Sequence, residues 1–261
     1  MKKILMTLCI LTLCSSSFAG GITEKLKAVV GRQSVEEAAG YDYITFFWRT
    51  EGETLGDDDY SDGDTTATIQ GTIAINSTQV KVGTNSIDLF TMWGRYEFDI
   101  SSSDILSGSE CRIGFWLYMD GDDDSVRFIH AEDGTDSSDY FDIERASSSG
   151  EVRLDWKIDG GTVVIATTDA NMSEDTWYWI EVYWNSATPT RQVHIFDDSS
   201  NEQGSGATNS SSFTTIAFAT GTLQIGNAIG VTPNYNLDNI IFSNDSSQSL
   251  YAIRNETVSP R

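Results

Sequence analysis

The run DTWYWIEVYW, residues 175–184, alternates in side-chain character in a way that decides the fold. A strand sends successive side chains to opposite faces. Tyr178, Ile180, Val182 and Trp184 therefore share one side, and Trp177, Trp179, Glu181 and Tyr183 share the other. The first side seals a core. The second, with rings beside a carboxylate, is able to meet a ligand.

Runs of the same kind extend in both directions. Upstream lie ITFFW (44–48), TIQGTIAI (68–75), SIDL (86–89), GRYEFDI (94–100), CRIGFWLYM (111–119), SVRFIHA (125–131), DYFDIERA (139–146), EVRLDWKI (151–158) and TVVIAT (162–167). Downstream lie RQVHIF (191–196), FTTIAFA (213–219), TLQIG (222–226) and NLDNIIFS (236–243). Short breaks such as Asp159-Gly160-Gly161 are hairpin turns, which force neighbouring strands to pair antiparallel. Residues 139–196 are thus expected to form one meandering sheet, with the last three runs in the opposite sheet. The expected fold class is all-β, a jelly-roll β-sandwich of two antiparallel sheets, in one domain over residues 41–261.

Alternation then sorts the meander into two surfaces. Phe141, Ile143, Val152, Leu154, Trp156, Tyr178, Ile180, Val182, Val193 and Ile195 make the apolar set. Opposite parity gives Tyr140, Asp142, Glu144, Trp179, Glu181, Tyr183 and His194, the candidate ligand-binding residues. Rings among charged groups suit a sugar, whose C–H faces stack while its hydroxyls hydrogen-bond.

Composition narrows the partners. The N-terminus has Lys2 and Lys3, an apolar run from Ile4 to Leu13, and small residues at Ser17 and Ala19. This is the pattern of a secretory signal peptide over residues 1–19, too short to span a bilayer. It implies a secreted or periplasmic protein. Residues 20–40 form a lead-in, where Ser34-Val35-Glu36-Glu37 has the capping-box pattern of a short helix. The chain has 16 basic and 39 acidic side chains, and loss of the leader takes two lysines and no acid, leaving a net charge of −25. Such a surface repels phosphate backbones, so neither nucleic acid nor membrane insertion is expected. Carbohydrate or an extracellular protein is the expected partner. Cys9 and Cys14 leave with the leader, and Cys111 shares strand parity with Ile113 and Phe115, so it reads as a small buried hydrophobe.

The order of GTNSIDL (83–89), GFWLYMD (114–120), DTWYWIEV (175–182) and LDNIIFS (237–243) resembles laminin-G-like domains of the concanavalin A-like lectin and glucanase superfamily. That resemblance, over residues 43–245, implies a jelly roll with one concave sheet, a non-catalytic binding role and, in many members, a structural Ca²⁺. It carries Asp238 over as the acidic residue at the start of the last strand. Asp57, Asp59 and Asp62, in the acidic loop from Glu51 to Asp64, complete the candidate metal set, since calcium takes six to eight oxygens. The loop is not an EF-hand, because Tyr60 occupies a ligand position.

The superfamily also contains polysaccharide-degrading enzymes. The segment Tyr140-Phe141-Asp142-Ile143-Glu144 is similar to the E-x-D-x-E strand of laminarinase-type glucanases, with tyrosine where the nucleophile belongs. Arg49-Thr50-Glu51-Gly52-Glu53 and Gln192-Val193-His194 resemble fragments of alginate-lyase motifs, but Glu53 replaces an arginine and the tyrosine motif is missing. Glu144 with Glu181 is the best remaining catalytic pair. A binding module is the favoured reading, with glycan cleavage and structural adhesion as alternatives.

Overall fold

The computed structural model describes residues 43–48, 60–61, 67–89, 94–100, 105–119, 126–145, 151–159, 161–166, 172–204, 206–218, 221–226 and 235–255. The expected leader, the lead-in helix and the loop aspartates Asp57, Asp59 and Asp62 lie outside the described residues. In chain order the strands are β1 (Ile44–Trp48), β2 (Tyr60–Ser61), β3 (Thr68–Gln70), β4 (Ala74–Asn76), β5 (Ser86–Asp88), β6 (Arg95–Asp99), β7 (Glu110–Met119) and β8 (Val126–Glu132). They continue with β9 (Tyr140–Arg145), β10 (Val152–Ile158), β11 (Gly161–Ala166), β12 (Thr176–Asn185), β13 (Thr190–Phe196), β14 (Ala207–Asn209), β15 (Thr222–Gly226) and β16 (Tyr235–Ser243).

These strands form two antiparallel sheets. One has nine strands, in the path β14-β13-β12-β7-β16-β1-β2, with β5 also paired to β16 and β4 to β5. The other has seven, in the order β11-β10-β9-β8-β15-β6-β3. The apolar set predicted from alternation lies between them: Phe141, Ile143, Leu154, Trp156, Ile180, Val182, Trp184, Val193 and Ile195 are all buried in one cluster. Cys111 joins that cluster, and burial pushes its thiol up to about 12. Among the described residues, no helix is long and apolar enough to cross a membrane.

The structure corrects the expected meander. β8 to β11 run as consecutive hairpins in the seven-stranded sheet, whereas β12 and β13 belong to the nine-stranded sheet. Between Ala166 and Thr176 the chain changes sheets. Alternation is blind to such a crossover, because a strand reads the same in either sheet. Two further expectations fail locally. TIQGTIAI divides at Gly71, whose φ of 73° ends β3 before β4 begins in the other sheet. FTTIAFA forms no strand over 213–218, although Ile216 and Phe218 are still buried in the core.

A third layer covers part of the nine-stranded sheet. The C-terminal segment 244–255 crosses its outer face and ends in a 3₁₀ turn, Leu250–Ile253, capped by Ser249 and packed on β7 and β12. Leu250 and Ile253 are buried there, over Trp116 and Trp179, whose rings meet edge to face at 5.7 Å. Arg112 donates through Nε to the Ser246 carbonyl at 3.0 Å, and Trp116 Nε1 donates to the Arg254 carbonyl at 3.0 Å. Glu110 Oε1 accepts from the Ser246 amide at 2.9 Å. The segment is thus pinned at both ends by polar contacts and in the middle by apolar ones.

Candidate functional site

The outer face of the seven-stranded sheet carries a grid of polar side chains set by strand register. Glu132, Tyr140 and Lys157 pair across β8, β9 and β10 in one row; His130, Asp142 and Asp155 form the next, and Arg127, Glu144 and Arg153 the third. The middle row extends through Gln224 on β15 to Glu97 on β6. Each of these residues alternates with core side chains, so the same period that builds the core aligns the polar groups on the opposite surface.

Ion pairs knit the grid together. Arg127 Nε lies 2.8 Å from Asp142 Oδ1, and His130 Nδ1 lies 2.6 Å from the same oxygen. Arg153 Nε donates to Glu144 Oε1 at 2.6 Å. The Lys157 ammonium sits 5.0 Å from the centre of the Tyr140 ring, and the His130 ring lies 5.4 Å from it. Burial pushes the Asp155 carboxyl up to about 6, against the pull of Arg153. For His130, burial acts downward, but hydrogen bonds to Asp142 and Glu132 outweigh it and raise the imidazole above its usual value. Glu132 is lowered by its bond to His130. Over β8 to β10, three cations (Arg127, Arg153, Lys157) therefore face four carboxylates (Glu132, Asp142, Glu144, Asp155), of which Asp155 holds its proton into mildly acid pH. The patch is close to neutral on a chain whose formal charge is −23.

The other predicted residues lie on the far side of the sandwich. Trp179, Glu181, Tyr183 and His194 occupy the outer face of β12 and β13. Trp179 is wholly buried beneath the C-terminal segment, and its Nε1 donates to Glu181 Oε2 at 3.1 Å. Glu181 also pairs with Arg112 and accepts from the Ser249 hydroxyl at 3.2 Å. Tyr183 is half-buried, with the Arg112 guanidinium 4.1 Å from its ring centre. The His194 ring lies nearly parallel to those of Tyr183 and Phe196, 6.1 Å from each, while its two nitrogens meet Glu202 Oε1 at 2.5 Å and Gln192 Oε1 at 2.9 Å. The structure thus brings Tyr140, Asp142 and Glu144 together, and Glu181, Tyr183 and His194 together, but keeps the two groups on opposite outer faces with the core between them. Glu144 and Glu181 cannot flank one glycosidic bond.

Asp238 is fully buried at the bulge of β16. Its Oδ2 accepts from the backbone amides of Lys81 at 3.0 Å and Val82 at 2.9 Å, tying the loop before β5 to the last strand. A separate acidic group, Asp136, Asp139 and Asp159, brings carboxylate oxygens within 4.8 Å of one another at adjacent hairpin ends. Two of these already accept locally: Asp136 from the Ser138 amide and Asp139 from the Asp159 amide.

Sequence reasoning missed His130, Asp155 and Arg127 as members of the grid. The signal was present, since His130 and Asp155 have the outward parity of Asp142 once the hairpins are aligned. What alternation alone lacks is the cross-strand register that sets them side by side.

No protein-family model matches the chain, and no curated protein sequence does. Solved structures match in fold. A botulinum neurotoxin serotype D binding domain aligns with a TM-score of 0.60 at 9% identity, covering 82% of this chain and 51% of its own. The binding domain of botulinum neurotoxin DC in complex with rat synaptotagmin II gives 0.55 at 13% identity, with 79% and 50% covered. A botulinum neurotoxin type C structure, from work tying cell entry to two ganglioside molecules, gives 0.58 at 14% identity, with 82% and 50% covered. The chain spans about half the length of these structures. At such identities the likeness is one of fold: the chain is an all-β, two-sheet antiparallel sandwich consistent with a jelly roll, and its fold is distantly similar to that of toxin receptor-binding domains.

Proposed function

We propose that the protein is a secreted, non-catalytic binding module that takes a neutral carbohydrate on the outer face of its seven-stranded sheet. The observation that carries this reading is the grid around Asp142: a nearly neutral field of fixed donors and acceptors, bordered by the half-buried Tyr140 ring. Carboxylates and guanidinium groups held in place by one another take vicinal hydroxyls without reorganising, and a tyrosine edge takes the apolar face of a pyranose. The laminin-G resemblance and the receptor-binding roles of the toxin domains support a recognition role. So does the chemistry of the grid. Glu144 and Asp142 are committed to arginine or histidine, and Cys111 is sealed in the core, so among the described residues the face offers no activated nucleophile beside His130.

Isothermal titration of the purified protein against a panel of neutral oligosaccharides tests the proposal. Tyr140→Ala and Asp142→Asn are expected each to weaken binding about tenfold or more, the scale of one lost charge-assisted hydrogen bond or ring contact. Tyr183→Phe, on the opposite face, leaves it unchanged. Silence across the panel, or loss with Tyr183→Phe alone, refutes the reading and favours protein adhesion. A structural calcium held by Asp57, Asp59 and Asp62 stays part of the proposal; chelation then lowers the melting temperature, and an unchanged melting curve removes the metal.

A further inference from the structure

Asp142 has a titratable neighbour on each side within its row: His130 on β8 and Asp155 on β10 both pair directly across from it. The buried His130 ring meets a carboxylate at each nitrogen, Asp142 Oδ1 at 2.6 Å from Nδ1 and Glu132 Oε2 at 3.5 Å from Nε2. A neutral imidazole has one N–H and serves one of these oxygens, whereas the imidazolium serves both. On the other side, Asp155 Oδ1 is buried and accepts no hydrogen bond, with Arg153 Nε 3.5 Å away. It stands opposite Asp142, and like charges directly across a sheet repel.

The surroundings of each group set the form it prefers. Toward His130, its own strand presents Arg127 and Glu132, and β9 presents Tyr140, Asp142 and Glu144. β15 presents the neutral Gln224, beyond which Glu97 on β6 is bonded to Arg95. Arg127 opposes a charge on the ring but is engaged with Asp142, and the two contacting carboxylates prevail, holding the imidazole above its usual value. Toward Asp155, its own strand presents Arg153 and Lys157, β9 presents Tyr140, Asp142 and Glu144, and β11 carries no charged side chain. Arg153 is bonded to Glu144 and Lys157 lies over the Tyr140 ring, so burial prevails and pushes the Asp155 carboxyl up to about 6.

Both groups thus change charge across the neutral range, and in the same direction. In the acid form β8 to β10 present four cations and three carboxylates, and in the alkaline form three cations and four carboxylates. The acid form also has fixed partners throughout: the imidazolium serves Asp142 and Glu132, and Arg153 serves Glu144. Protonated Asp155 then offers both a donor and an acceptor, as a sugar hydroxyl does. In the alkaline form the face has lost two donors, and Asp142 stands between a neutral ring and a second carboxylate.

We propose that the Asp142 grid is a proton-linked binding site, which holds a neutral glycan at mildly acid pH and releases it as His130 and Asp155 deprotonate on either side of Asp142. This regulation rests on the glycan-binding reading above.

The test titrates the full chain with neutral gluco-, galacto- and manno-oligosaccharides by calorimetry at pH 5 and pH 8. The proteins are wild type, Asp155→Asn, the double variant His130→Gln with Asp155→Asn, and His194→Gln. The wild type is expected to bind about tenfold or more tighter at pH 5, the scale of one charge-assisted contact. Asp155→Asn, which cannot ionise, narrows that ratio, and the double variant removes it. His194→Gln, which takes away the chain's other histidine on the opposite outer face, keeps it. Because linkage is reciprocal, saturating sugar also raises the midpoint at which the His130 ring protons titrate by NMR. Equal affinity at both pH values, tighter binding at pH 8, a ratio that survives the double variant, or one lost in His194→Gln overturns the proposal and leaves the glycan-binding reading standing. No binding at either pH overturns both. Should the double variant unfold, Asp155→Asn and the His130 midpoint with and without sugar decide the matter.

Discussion

Asp238→Ala tests how the last strand is tied to the rest of the sandwich. In the native protein one carboxylate oxygen accepts from two backbone amides, Val82 in a buried setting and Lys81 in a partly buried one. Deleting the side chain strands the Val82 N–H, at about 1–3 kcal/mol, whereas water recovers most of the Lys81 bond and leaves about 1 kcal/mol. Relief of a buried charge offsets part of this, so the net loss is about 2–3 kcal/mol. For a domain of this size that is a fall of roughly 5–10 °C in melting temperature. Asp238→Asn keeps an acceptor in place but loses the charge assistance, and costs about 1 kcal/mol. Urea unfolding of the three proteins, each with and without chelator, measures it. A loss below about 0.5 kcal/mol for Asp238→Ala would refute the amide-acceptor role. Chelation that destabilises wild type but not Asp238→Ala would make Asp238 a metal ligand instead.

Other perturbations probe the two outer faces. Gly114 has no room for a side chain, because an added Cβ would sit 2.3 Å from Trp179 Cζ2 under the C-terminal segment. Gly114→Ala is expected to destabilise by about 1–3 kcal/mol in chemical denaturation, and an unchanged midpoint would mean that Trp179 moves freely. Leu250→Ala opens the same layer and is expected to cost about 2–5 kcal/mol, with a rise in Trp emission wavelength as Trp116 and Trp179 meet water. On the other face, Asp155 has its folded value raised to about 6 from an ordinary 3.8, so its contribution to stability is full below 3.8 and lost as pH rises through 6. Asp155→Asn, which mimics the protonated carboxyl, is therefore expected to melt higher than wild type at pH 7.5 and level with it at pH 4, and equal melting at both pH values would contradict the burial of that group. His130 has the same sign: its raised value gives stability that is present below the ordinary value of about 6.5 and lost as pH climbs through the folded one.

Read by itself, the sequence determined the class of fold and the inward side of nearly every strand. Alternation with a period of two is local, and a residue such as Ile180 or Leu154 is buried whichever sheet its strand joins. The hairpin at Asp159 was equally legible in the run Asp159-Gly160-Gly161, and the structure agrees: Asp159 has a positive φ of 48° and Ile158 pairs with Gly161. Only the tertiary structure decided which outward residues are neighbours. Tyr140 and Trp179 carry the same outward signature, yet one is half-buried at the border of the grid and the other is sealed. The difference comes from a crossover between β11 and β12 and from a segment some seventy residues downstream of Trp179, both non-local contacts that no pattern within a strand encodes. Register did the same for His130 and Asp155, which became members of a site only when hairpin pairing set them on either side of Asp142.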